Sequence, residues 1–254
     1  MILNSSVDGR DEACLDPSYI DVRFVVPGGE RRQMPWLRAA HEQRLEDCVP
    51  VRMFPVRRGK RLAPGWWWSA TTGRLVHYGS AAQRDRLMLL DQDRRVVDLA
   101  CRPVEFVWRA GSSVVRHAPQ LLVRWAGGRR ELVDCVGVSG PSRQLTFRAR
   151  VLGSCARAAG WGYRLVGPAE PVRVANVRWL SGYRHPRYAD AAVVDRLRKA
   201  CVVPRPAAEV VGEVGEAIRV WPALFHALWS SQLHVDLGQV LGGHSLITAG
   251  EGAA

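Results

Sequence analysis

The residues whose types and spacing suit chemistry lie mostly between Arg57 and Asp134. Arg57-Arg58-Gly59-Lys60-Arg61 is a compact basic run suited to phosphate contact, with a solvated loop as the plainer alternative. Trp66-Trp67-Trp68 offers rings that stack on bases, although such residues more commonly pack on both faces of a strand. Ser80-Ala81-Ala82-Gln83 has the spacing of a capping box, which closes the first turn of a helix. His117 reads as a positioning or core histidine rather than a general base. Asp134, inside the apolar run Glu131–Val136, is either a ligand or a structural carboxylate near a strand end. The six cysteines, Cys14, Cys48, Cys101, Cys135, Cys155 and Cys201, include no C-x-x-C pair, which argues against a zinc ribbon or a thioredoxin-like site.

These side chains need a scaffold, and the pattern predicts one. Residues 1–18 show no apolar period and read as a flexible N-terminus. Tyr19–Val26 predicts a strand closed by Pro27-Gly28-Gly29, and Pro35–Cys48 a helix. Gly65–Ala70 and Arg74–Tyr78 form a hairpin around Thr71-Thr72-Gly73. A helix opens at Ser80. Strands follow at Val96–Ala100, Val104–Trp108, Val114–His117, Leu121–Trp125 and Glu131–Val136. Pro141–Ala159 is a helix ending at Gly160, and Trp161–Val166 a buried strand. Helix, several strands, helix, strand predicts an α/β domain over 19–168, with a central mixed sheet flanked by helices. Gly167–Pro171 reads as a boundary. Residues 169–254 then turn helical. Trp221, Leu224, Phe225, Leu228 and Trp229 mark an amphipathic helix with Pro222 in its first turn. A short hairpin from His234–Leu237 and Ser245–Thr248 completes a small winged-helix-like domain.

Composition narrows the function. The 254 residues are 47% hydrophobic, which excludes wholesale disorder. The net charge is +12, and of 36 basic residues only Lys60 and Lys199 are lysines. Arginine's planar fork suits bidentate phosphate and base-edge contacts, so the excess points to a polyanion. By segment, residues 1–51 carry −3, residues 52–168 carry +14 and residues 169–254 carry +1. The polar, acidic start and the lack of an apolar run near 18 residues predict a cytoplasmic, reduced protein with no membrane partner.

One ordered set of motifs is more specific. From Tyr78 the chain reads Y-G-S-A-A-Q-R-D-R-L-M-L-L-D-Q-D, then R-H-A-P-Q-L-L-V, then E-L-V-D-C-V-G. This resembles the TnsA-like endonuclease subunit of heteromeric transposases. The matching residues are Ser80, Arg84, Asp85, Leu89, Leu90, Asp91, Asp93, Pro103, His117, Pro119, Val133 and Asp134. Ser69–Gly73, Trp161-Gly162-Tyr163 and Asn176–Leu180 extend the likeness over most of 50–240.

The resemblance implies a restriction-endonuclease-like fold of PD-(D/E)-x-K type. It also implies metal-dependent cleavage of DNA at the ends of a mobile element. Carboxylates would hold Mg²⁺ and a lysine would sit beside the attacking water. Its partners would be double-stranded DNA, a TnsB-like transposase subunit and a TnsC-like AAA+ ATPase. The family's catalytic positions fall on Gln83, Gln120, Asp134 and Val136, of which only Asp134 keeps its carboxylate. An amide binds Mg²⁺ far less well than a carboxylate, and valine touches neither proton nor phosphate. The expectation is DNA binding with cleavage lost or severely reduced, through Arg57, Arg58, Lys60, Arg61, Arg84, Arg116 and His117. An active nuclease with a rearranged site, a stand-alone DNA-binding regulator and a decayed copy of an element are the alternatives.

Overall fold

The computed structural model describes residues 16–54 and 64–250. The architecture is mixed α/β. In chain order it runs β1 (Asp21–Val25), β2 (Arg31–Pro35), α1 (Trp36–Glu42), β3 (Gly65–Trp68), β4 (Leu75–Tyr78) and α2 (Ala81–Gln92). Then come β5 (Val96–Cys101), β6 (Val104–Ala110), β7 (Ser113–His117), β8 (Leu121–Trp125), β9 (Arg130–Cys135), α3 (Arg143–Ala158) and β10 (Gly162–Val166). The rest is α4 (Pro171–Leu180), α5 (Ala191–Ala200), β11 (Arg205–Pro206), α6 (Ala207–Val214), α7 (Ala217–Trp229), β12 (Leu233–Val235) and β13 (Leu246–Ala249). The chain divides into two compact units, residues 1–55 with 98–166 and residues 56–97 with 167–254. The segment 56–97, placed by sequence with the strands that follow it, thus groups with the C-terminal helices.

The first unit holds two four-stranded sheets. One is antiparallel, in the order β2-β1-β6-β7. The other runs β10-β9-β8-β5, with β8 and β9 antiparallel and β9 and β10 parallel. Helix α3 makes the crossover that a parallel pair requires. It ends where the sequence signalled, with Gly160 at φ +71°, a conformation only glycine adopts without strain. Trp36 anchors the core. Its ring lies 4.7 Å from Phe106 and 5.1 Å from Trp161, and its indole N–H donates to the carbonyl of Cys155 at 2.6 Å.

In the second unit, β3 and β4 pair as the expected hairpin, and Gly73 turns it at φ +65°. Helices α4 to α7 bury Val177, Leu180, Leu197, Val210, Leu224 and Leu228, and β11-β13-β12 forms a small antiparallel sheet. Asn176, buried in α4, donates to the carbonyls of Leu237 and Gln239 and accepts from the N–H of Leu241, which fastens the loop after β12.

Four local expectations change. The helix expected over Pro35–Cys48 is limited to Trp36–Glu42, with a single 3-10 turn at Leu45–Asp47. Strand β2 (RRQMP) carries no apolar alternation, and it forms because the Pro27–Glu30 turn folds it back as an edge partner of β1. Strand β10 is half-buried because it is also a sheet edge. Pro222 is interior to α7, which begins five residues earlier. Among the described residues, no helix is long and apolar enough to cross a membrane. The described cysteines, Cys48, Cys101, Cys135, Cys155 and Cys201, are buried.

Candidate functional site

The β8–β9 register places Leu121 opposite Val133, which brings Gln120 opposite Asp134 at one end of the strand pair. Asp134 is fully buried. A buried carboxylate needs donors, because leaving water strips its hydration. Three protein groups supply them. His117 Nε2 lies 2.7 Å from Oδ2, the Tyr163 hydroxyl donates to the same oxygen at 2.9 Å, and the Gln120 backbone N–H donates to Oδ1 at 3.1 Å.

The neighbours are held as firmly. The Gln120 side-chain amide donates to the carbonyl of Cys135 at 3.1 Å, and the Gln120 backbone carbonyl accepts from the N–H of Arg102 at 3.2 Å. Val136 uses its N–H on the carbonyl of Val166. Arg102 has φ +45°, a strained conformation for a residue with a side chain, and its guanidinium covers the Phe54 ring at 3.4 Å. Burial pulls the Arg102 guanidinium down to about 10, partly offset by the charges of Cys101 and Asp134. Burial, then the charge and hydrogen bond of Asp134, push the Tyr163 phenol well above its usual range.

Gln120, Asp134 and Val136 therefore come together, with His117 among them. Gln83 lies in the second unit, buried at the start of α2. Ser80 Oγ accepts from the Gln83 N–H at 3.2 Å, one half of the expected capping box. The reciprocal bond shifts by one residue, since Gln83 Oε1 takes the N–H of Gly79 at 2.9 Å. Arg84 pairs with Asp85 at 3.0 Å, and Arg178 reaches the same Asp85 oxygen at 3.1 Å. Arg116 is exposed on β7. Arg57, Arg58, Lys60 and Arg61 lie outside the described residues.

These donors do not fit Mg²⁺. Asp134 is the one carboxylate of the set, and protein donors already occupy both its oxygens. The nearby Glu131 is buried and held by Arg164 at 2.6 Å and Arg129 at 3.4 Å. Among the described residues, no group of three or more His, Cys, Asp or Glu side chains is placed to hold a metal ion.

A second buried carboxylate organises the motif residues of the other unit. Asp91, at the end of α2, accepts from Trp67 Nε1 at 2.8 Å, Ser69 Oγ at 2.5 Å, the Ala70 N–H at 3.0 Å and the Thr71 N–H at 2.9 Å. The Arg184 guanidinium lies 4.1 Å from the centre of the Trp67 ring, and its Nε donates to the carbonyl of Trp68 at 2.9 Å. Trp66, Trp67 and Trp68 alternate as a strand requires, with Trp67 buried and Trp66 half-exposed. Trp67 thus serves the fold.

The sequence missed Tyr163 and Arg102. Tyr163 was visible as part of the Trp161-Gly162-Tyr163 motif but carried no role. Nothing local marked Arg102. Neither any known family model nor any curated protein matches the chain.

Proposed function

We propose that this chain is a TnsA-like subunit that binds duplex DNA and has lost the ability to cut it. The observation that carries the reading is the engagement of both Asp134 oxygens by His117, Tyr163 and Gln120. A metal ligand needs free lone pairs turned toward open space, and this carboxylate has become a structural acceptor. The motif positions Gln120, Asp134 and Val136 meet at one strand end, as the resemblance expects of a restriction-endonuclease-like core. On this reading β10-β9-β8-β5 is that core, and α5 to α7 with β11-β13-β12 are winged-helix-like. The net charge of +12 supports a polyanionic partner. By resemblance, a TnsB-like transposase subunit and a TnsC-like AAA+ ATPase would act on the same DNA.

The test is fluorescence anisotropy of a labelled duplex across a salt series. Affinity is expected to fall by about 0.9 log units per log unit of salt for each phosphate neutralised. Affinity that is absent, or flat with salt, overturns the reading.

A further inference from the structure

We infer that the outward face of the sheet β2-β1-β6-β7 is a track for the sugar-phosphate backbone of duplex DNA, gripped by Arg23, Arg31 and Arg116. The inference rests on the DNA-binding reading above and assigns it a surface.

The strand pattern makes the face. In β1, Val22 and Phe24 point into the core, while Asp21, Arg23 and Val25 point out. In β6, Val104, Phe106 and Trp108 are buried, and Glu105, Val107 and Arg109 alternate with them. The register sets Arg23 opposite both Gln33 and Glu105, and Arg116 opposite Val107. Arginines from both edge strands and from β1 thereby converge on one groove of about 430 Å³, in which Glu105 is the one lining acid among the described residues.

That acid is already matched, because Arg52 lies 3.0 Å from Glu105. Arg32, opposite the inward Phe24, belongs to the other face of the sheet and is held by both oxygens of Glu30 at 2.9 and 2.8 Å. Arg23 spends its Nε on the neutral oxygen of Gln33, and Gln33 in turn holds the outward Asp21. Arg31 and Arg116 make no ion pair among the described residues. The groove keeps a positive excess with guanidinium forks facing solvent.

Dimensions and chemistry favour a duplex backbone. Three inter-strand gaps span ~14 Å at the usual sheet spacing. Phosphates of one DNA strand advance about 3.4 Å each along the axis, so the face spans roughly four. No exposed aromatic lines the groove, so it offers nothing on which unstacked bases would stack. The contacts are to phosphate and independent of sequence.

The experiment uses the full chain and the duplex anisotropy assay. The groove variant Arg23→Gln, Arg31→Gln, Arg116→Gln is compared with a charge-matched control, Arg38→Gln, Arg44→Gln, Arg157→Gln, whose arginines are exposed elsewhere in the same unit. Thermal melts establish that both variants are folded. The groove variant is expected to lower the salt slope by about 2.7, three phosphates' worth, and weaken low-salt binding at least tenfold. The control is expected to change the slope by less than one unit. Equal effects of the two variants, or none from the groove variant, overturn the track while leaving DNA binding itself standing. A wild-type chain that binds no duplex overturns both. Equal binding of poly-glutamate and duplex, lost together in the groove variant, overturns the track in favour of an acidic protein.

Discussion

The Tyr163 hydroxyl donates to Asp134 Oδ2 across 2.9 Å, on an oxygen that His117 Nε2 also approaches to 2.7 Å. Strand β10, the parallel neighbour of β9, thus helps to close the cage around the buried Asp134 carboxylate. Such a residue stabilises the fold, whereas an active-site ligand held open for metal commonly costs stability. Asp134→Ala would leave buried donors unpaired, so it is expected to cost about 3 kcal/mol or more. That corresponds to a drop of roughly 6–12 °C in Tm, measured by metal-free thermal unfolding. An unchanged or raised Tm would contradict the structural role.

The same contact has a signature in alkali. Burial and Asp134 raise the folded-state pKa of Tyr163 above its usual 10.0. Below the unfolded value both states hold the proton, and stability is independent of this group. Above it the unfolded chain releases a proton that the folded chain retains, so stability falls as pH rises, by at most about 1.4 kcal/mol per pH unit. Cys48, pushed up to about 11 by burial, acts in the same direction. Tyr163→Phe keeps Cys48 and removes only the tyrosine contribution. Denaturant midpoints between pH 9.5 and 11 are expected to fall less steeply in Tyr163→Phe than in the wild type.

Restoring the expected catalytic residues tests whether the positions are correctly assigned. The double variant Gln120→Asp, Val136→Lys sets a second carboxylate beside Asp134. Without metal, two like charges in a buried site destabilise one another. Millimolar Mg²⁺ is expected to raise the Tm of this variant by several degrees and leave the wild type unmoved. A variant indifferent to Mg²⁺ would show that these residues do not form one site.

In the second unit, Asp91 accepts four bonds from β3 and the turn that follows it. Asp91→Ala is expected to cost about 3 kcal/mol, and Trp67→Phe, which removes one bond to a charged group, about 1.5–3 kcal/mol. Thermal unfolding followed by tryptophan fluorescence measures both.

The parts of this molecule that are local were legible in the sequence. The β3–β4 hairpin, α2 with its Ser80 cap, the strands β5 to β9 and the Gly160 stop all carry short-range signals of turn, cap and alternation. Strand β2 lacked one because Arg31–Pro35 is extended only through its partner. The roles of Asp134 and Asp91 were invisible for a related reason. Whether a carboxylate is open or caged depends on donors far along the chain, such as Tyr163 and Trp67. Charge was misleading in one respect. Residues 1–51 sum to −3, yet they supply Arg23 and Arg31 to the basic groove. Counting along the chain cannot show which bases the strand register gathers on one face.

The central claim is binding without cutting, and the most direct measurement is strand cleavage under saturating occupancy. Supercoiled plasmid would be incubated with the full-length chain at concentrations that saturate duplex binding, in Mg²⁺ and separately in Mn²⁺, and resolved for nicked and linear forms. The account predicts bound DNA that stays supercoiled in both metals. Metal-dependent nicking by the wild type that Asp134→Ala abolishes would contradict it.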